Sequence, residues 1–113
     1  TTPVTFLEVI DGDTIWVKKK GEKVLVQFEG IDAPELVNKD KKKSECIDDQ
    51  KKAQDARDLI HNILSSAKEV GLIIKEEINE QELKAQVYAD GLSVGQELLY
   101  KYLAVEGKGN WCK

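Results

Sequence analysis

The chain is predicted to fold as an α+β, mainly β domain: a five-stranded OB-fold barrel with a helix between strands 3 and 4 and a second helix at the C-terminal end. Three observations predict it. Short runs rich in β-branched and aromatic residues are bounded by Asp-Gly and Lys-Gly turns; a stripe with helical spacing runs from Ala53 to Ala67; and the order along the chain is three strands, helix, two strands, helix. At 113 residues this is one domain, 1–113, with room for a single core.

The first strand is expected over Val4–Ile10 and the second over Thr14–Lys19, with Asp11-Gly12 as the tight hairpin turn between them. Lys20-Gly21-Glu22 forms the next turn. Val24, Val26 and Phe28 then alternate with Leu25, Gln27 and Glu29, so that one face of a third strand is consistently apolar. This strand runs into Gly30. Pro34 biases Ala33 toward extended backbone and ends the ladder, which leaves Asp32 and Glu35 on an irregular segment. Leu36 to Ser44 is lysine-rich and reads as a loop. Ala53, Ala56, Ile60, Ile63, Leu64 and Ala67 recur every three or four residues, the mark of one buried helical face, with Ser44 as a candidate cap. After Gly71 the period changes again: Leu72–Ile78 reads as a fourth strand, and Leu83, Ala85 and Val87 mark a fifth that stops at Asp90-Gly91. Ser93 and Gln96 stand in capping-box spacing before a last helix whose apolar positions are Leu98, Leu99, Tyr102 and Leu103.

Composition limits what such a barrel does. No apolar run approaches the roughly 18 residues that a membrane helix needs, so no membrane span is expected. A net charge of -4 argues against strong unassisted binding to a phosphate backbone. Arg57 is the only arginine, so a mechanism that clamps phosphate with guanidinium groups is short of them. His61 is the only histidine and falls in the helix as a surface or packing residue, and no Cys/His cluster supports a zinc site. The lysine runs 18–20 and 41–43 read first as solvated surface. Cys46 and Cys112 are either two free thiols or a bridge; a bridge closes a loop long enough for an entropic gain of about 4 kcal/mol in the simple model. The chain begins Thr1-Thr2-Pro3 without methionine, which leaves room for a removed export signal.

Two acidic segments sit where strands stop: Ile10-Asp11-Gly12-Asp13-Thr14 and Gly30-Ile31-Asp32-Ala33-Pro34-Glu35. Carboxylates at strand ends can converge on a hard cation, and a cation held that way suits phosphate chemistry. Together, at this spacing and strand order, they resemble the staphylococcal nuclease (thermonuclease) family. The resemblance continues through the long helix and Ala85-Gln86-Val87-Tyr88-Ala89-Asp90-Gly91 into the last helix. It implies calcium-dependent hydrolysis of phosphodiester bonds in DNA and RNA: Asp13, Asp32 and the carbonyl of Ala33 on the ion, Asp11 supporting them, and Glu35 activating or orienting the attacking water. It also implies a secreted or periplasmic protein, because relatives with a cysteine before the central helix and another near the C-terminus are commonly exported; that setting favours the Cys46–Cys112 bridge. The protein is expected to be a monomer.

The chain departs from the family at its phosphate contacts. Gln27, eight residues before Glu35, stands where the resemblance places one arginine, and Glu82 stands where it places the second. Glu80 replaces a tyrosine, and no residue near the last helix clearly matches the other substrate-contacting tyrosine. Lys84 shares the strand parity of Glu82 and is a candidate nucleic-acid contact, as are Lys41 and Lys42 in the loop after the second acidic segment. A lysine is a point charge and does not reproduce a bidentate guanidinium. The expected function is therefore a nuclease of weak turnover with weak, metal-assisted nucleic-acid binding. The alternatives are a catalytically inactive OB-fold binding module and a purely structural calcium site.

Overall fold

The computed structural model describes residues 1–34 and 50–107. In chain order these form β1 (Thr2–Asp11), β2 (Thr14–Lys19), β3 (Glu22–Phe28), β4 (Ile31–Asp32), α1 (Gln50–Ser66), β5 (Val70–Asn79), β6 (Glu82–Ala89), β7 (Leu92–Ser93), α2 (Val94–Tyr100) and β8 (Val105–Glu106). The strands β1, β2, β3, β6 and β5 close on one another. Antiparallel ladders join β1 to β2, β2 to β3, β5 to β6 and β1 to β5, while a parallel pairing of β3 with β6, Leu25↔Glu82 through Phe28↔Ala85, shuts the barrel. This is the predicted mixed, mainly β OB-like barrel with two helices.

The alternation read from the sequence is the alternation of burial. Ile15 and Val17 from β2, Val24, Val26 and Phe28 from β3, Val70 and Leu72 from β5, and Leu83, Ala85, Val87 and Ala89 from β6 all point inward and are buried. Burying each Val, Ile, Leu or Phe fully contributes about 1.5–3 kcal/mol, so this interior is the main source of cohesion. Helix α1 lays Ala53, Ala56, Ile60 and Leu64 on the barrel and packs against β1 and α2. His61 is a packing residue at its edge, its ring standing T-shaped on Phe6 with centroids 6.1 Å apart. The predicted cap Ser44, and Cys46 and Cys112, lie outside the described residues.

Three details differ from the sequence reading. Asp11 is the last ladder residue of β1, paired with Thr14, so the first hairpin turns on Gly12-Asp13 and not on Asp11-Gly12. The two-residue strands β4 and β8 pair with each other, Ile31↔Glu106 and Asp32↔Val105. Tyr102 is not on the apolar face of α2: the helix ends at Tyr100, and Tyr102 sits at φ 59° with 81% of its surface exposed. The amides of Tyr102 and Leu103 donate to the carbonyls of Leu99 and Leu98, the pattern of a Schellman cap in which Tyr102 takes the left-handed position. At the other end the capping reading holds, since Ser93 Oγ accepts from Gln96 N at 3.3 Å.

Candidate functional site

The β1–β2 turn is pressed against the segment that follows β3. Gly12 makes this possible: a Cβ there would lie 2.7 Å from Ala33 Cβ and 2.8 Å from Ala56 Cβ, so only a residue without a side chain fits. Phe28 N donates to Asp13 O at 2.8 Å and ties the turn to the end of β3. These contacts bring the two acidic segments together.

Asp13 is the hub. Its Oδ2 accepts from Ala33 N at 3.2 Å, its Oδ1 accepts from Thr14 Oγ1 at 3.1 Å, and its own N–H donates to Asp11 Oδ1 at 3.2 Å. Burial pushes the Asp13 carboxyl up to about 8, and the hydrogen bond and negative charge of the neighbouring Asp11 push the same way, against the Ala33 amide and Thr14 hydroxyl.

A cavity of about 640 Å³ opens beside this hub. Asp13 and Asp32 line it together with Thr14, Gln27 and Lys84. Five of the residues singled out from sequence are thus gathered at one place: Asp13, Asp32, Gln27 and Lys84 on the cavity, and Asp11 one hydrogen bond behind it. Ala33 is buried, and its amide, a contact that the sequence reading did not include, holds Asp13. Glu35, Lys41 and Lys42 lie outside the described residues. Among the described residues no three His, Cys, Asp or Glu side chains form a group able to hold a metal by themselves.

The two positions where arginines were expected do meet. Gln27 Nε2 donates to Glu82 Oε2 at 2.7 Å, across the parallel β3–β6 pairing that closes the barrel. A neutral donor and a carboxylate satisfy each other at these two positions.

Sequence reasoning missed Glu29, Lys75, Glu76 and Gly107, which also line the cavity. Glu29 alternates with the core residues of β3 and was visible as an outward position. Lys75 and Glu76 reach the cavity because β5 carries an irregularity between Ile74 and Glu76, and simple alternation does not foresee that. Gly107 arrives through the β4–β8 pairing and its own hydrogen bond, Gly107 N to Gly30 O at 3.1 Å. Only a long-range contact brings it there. No helix among the described residues is long and apolar enough to cross a membrane.

A scan against protein-family models found no match, and no curated protein matches the chain.

Proposed function

We propose that this cavity is the site of a metal-dependent phosphodiesterase of the staphylococcal nuclease type, acting slowly on DNA or RNA. The observation that carries the reading is the convergence of Asp13 and Asp32 on one cavity with Lys84 on its wall. The donor set fits a hard divalent cation: calcium takes six to eight oxygens, and a half-buried carboxyl pushed up to about 8 beside a second carboxylate is the environment a cation would relieve. Asp13 and Asp32 would hold the ion, with the Ala33 carbonyl and water completing its shell and Asp11 fixing the Asp13 backbone. When bound, calcium would polarise a phosphoryl oxygen and offset the negative charge of the site.

The chain's own residues then divide the work. Asp11, Thr14 and the Ala33 amide hold Asp13 in place. Glu35, directly after the buried Pro34, is the proposed general base that takes a proton from the attacking water. Lys84 supplies positive charge to the substrate. What is missing is the preorganised pair of guanidinium donors. Each such donor is worth roughly 100- to 1000-fold in turnover, so activity is low, and the carboxylate of Glu82 repels a phosphate besides. Export to the periplasm or the medium, a Cys46–Cys112 bridge and a monomeric state belong to the same proposal; two titratable thiols in the denatured, unreduced protein would rule the bridge out.

Cleavage of single-stranded and duplex DNA with and without calcium tests the enzyme. Slow calcium-dependent cleavage that is abolished in Glu35→Gln supports it, and cleavage indifferent to calcium and to Glu35 refutes it. Gln27→Arg combined with Glu82→Arg is expected to raise the rate by about 100-fold or more. A second reading, an inactive barrel that only binds, is favoured by one observation: Gln27 and Glu82, at the two positions where the resemblance would put phosphate-clamping arginines, hydrogen-bond to each other. Nucleic-acid binding without cleavage in both the natural chain and the double-arginine variant would select it.

A further inference from the structure

We propose that Lys75, carried to the cavity wall by a β-bulge, acts with Lys84 as the anion-holding side of the cavity, and that the pair takes a backbone phosphate of a single-stranded nucleic acid. The inference rests on the cavity's being a nucleic-acid site, and it names a residue and a strand that the acidic motifs do not point to.

The bulge is read from the ladder. Ile74 pairs with Ala85 and Glu76 pairs with Lys84, so β5 advances by two residues while β6 advances by one, and Lys75 is the extra residue. In an unbroken strand Lys75 would alternate outward and Glu76 inward, behind Ile74. The irregularity instead sets Glu76 opposite Lys84, on the face away from the core, and lets Lys75 line the same cavity as both. Two lysines from neighbouring strands therefore line one concave space with Gln27 and Thr14.

Neither lysine makes an ion pair among the described residues. The cavity also holds acidic groups, Asp13, Glu29, Asp32 and Glu76, and Glu76 is the direct cross-strand neighbour of Lys84. That arrangement leaves Lys75 as the cation with no carboxylate in its own ladder position. Two like charges on the wall of one cavity repel, and an anion bound there offsets both. The cavity's about 640 Å³ lies in the range of small-ligand sites, which suits one unstacked nucleotide and not a duplex. Ammonium groups match a phosphate oxygen as point charges and demand no bidentate geometry, which is consistent with the absence of arginine at Gln27 and Glu82.

The test is a fluorescence anisotropy titration of the full chain with a labelled single-stranded oligothymidylate, in calcium, over a series of salt concentrations. Each lost phosphate contact lowers the slope of log affinity against log salt by about 0.7 for single strands. Lys75→Gln is expected to weaken binding and flatten the slope, and Lys75→Gln with Lys84→Gln to lose about 0.7 in all, the share of the one phosphate that the pair holds. Lys101→Gln, exposed at the end of α2 and away from the cavity, is expected to keep the natural slope. Lys75 is exposed, so its variant should fold, and circular dichroism checks this. If the oligonucleotide binds the natural chain and Lys75→Gln with equal affinity and slope, Lys75 is solvated surface and this inference is wrong, while the nuclease reading stands. If the natural chain does not bind the oligonucleotide at all, the nucleic-acid reading fails and takes this inference with it.

Discussion

The same dipeptide, Asp-Gly, closes two hairpins of the barrel with opposite results. In the β6–β7 turn Asp90 and Gly91 are the two central residues, at φ 51° and 84°, and a Cβ on Gly91 would meet nothing within 4 Å. That is a two-residue turn of the mirror-image kind that hairpins prefer. The exposed Asp90 carboxylate accepts from the amides of Glu69 and Lys68 at 2.8 and 3.0 Å, and these two backbone bonds, Glu69 foremost, hold its pKa below the ordinary range. In the β1–β2 turn the dipeptide is shifted by one position: Gly12 is buried against Ala33 and Ala56, and Asp13, next in the chain, has its carboxyl raised to about 8. One turn is a structural clasp that satisfies its charge. The other collects charge that its surroundings do not satisfy, and that contrast separates the candidate site from the scaffold.

The largest effect expected from this contrast is on the glycines. Gly12→Ala places a methyl within 2.8 Å of two side chains that are themselves only methyl groups and cannot swing aside, so the turn must move. A cost of about 3 kcal/mol is expected, together with loss of calcium binding. Gly91→Ala meets no atoms and costs only the left-handed backbone, about 1 kcal/mol. Denaturant unfolding of both variants measures the difference, and equal losses would show that Gly12 is not a packing glycine.

The next effect is on pH dependence, where the two aspartates should act with opposite sign. Between about pH 4 and pH 8 the folded chain keeps a proton on Asp13 that the unfolded chain, with an ordinary value of 3.8, has released. The stability that Asp13 contributes is therefore complete at low pH and is lost as pH rises through about 8. For Asp90 the folded value is lowered, so its contribution is present above the ordinary value and disappears as pH falls through the folded one. Asp13→Asn should flatten the fall in stability between about pH 4 and pH 8, and Asp90→Asn the limb below the ordinary aspartate value of 3.8; an unchanged profile in either variant would contradict the corresponding assignment. A cation must also displace the Asp13 proton, so calcium affinity should rise about tenfold per pH unit up to about 8. Calorimetric titration in buffers of different ionisation enthalpy counts that proton directly, and none released would mean that the ion does not touch Asp13.

The contrast also marks how far the sequence could be read. The five long strands and both helices were legible because each carries a local period: Val24, Val26 and Phe28 on one strand, Ala53, Ala56, Ile60 and Leu64 on one helix. The carboxylate side of the site was legible because Asp11, Asp13 and Asp32 sit in short segments at strand ends. The phase of the first turn was not, since Asp-Gly satisfies a turn in either register and the packing of Gly12 on Ala33 and Ala56 decides. Nor was the place of Lys75 on the cavity, because a bulge resets alternation there without leaving a mark in composition. Gly107 and the β4–β8 pairing depend on contacts between residues far apart in the chain, which no local period encodes.

The smallest effect concerns the left-handed backbone of two non-glycine residues, one in the β6–β7 turn and one at the end of α2. Asp90 and Tyr102 share it, at φ 51° and 59°, but the two side chains use it differently. Asp90 is repaid by its bonds to the Lys68 and Glu69 amides, whereas Tyr102 stands 81% exposed at the end of α2. The Schellman bonds there run through the backbone, from Tyr102 N and Leu103 N, and survive removal of the ring. Tyr102→Gly should therefore stabilise the chain by about 0.5–1 kcal/mol, the relief of the left-handed strain less the extra freedom that glycine gives the unfolded chain. Asp90→Gly relieves the same strain but breaks the clasp on the α1–β5 connection, so it should destabilise. If Tyr102→Gly lowers the unfolding midpoint as well, the tyrosine ring has a contact that matters more than its backbone, and the surface around the end of α2 becomes a second place to look for a ligand.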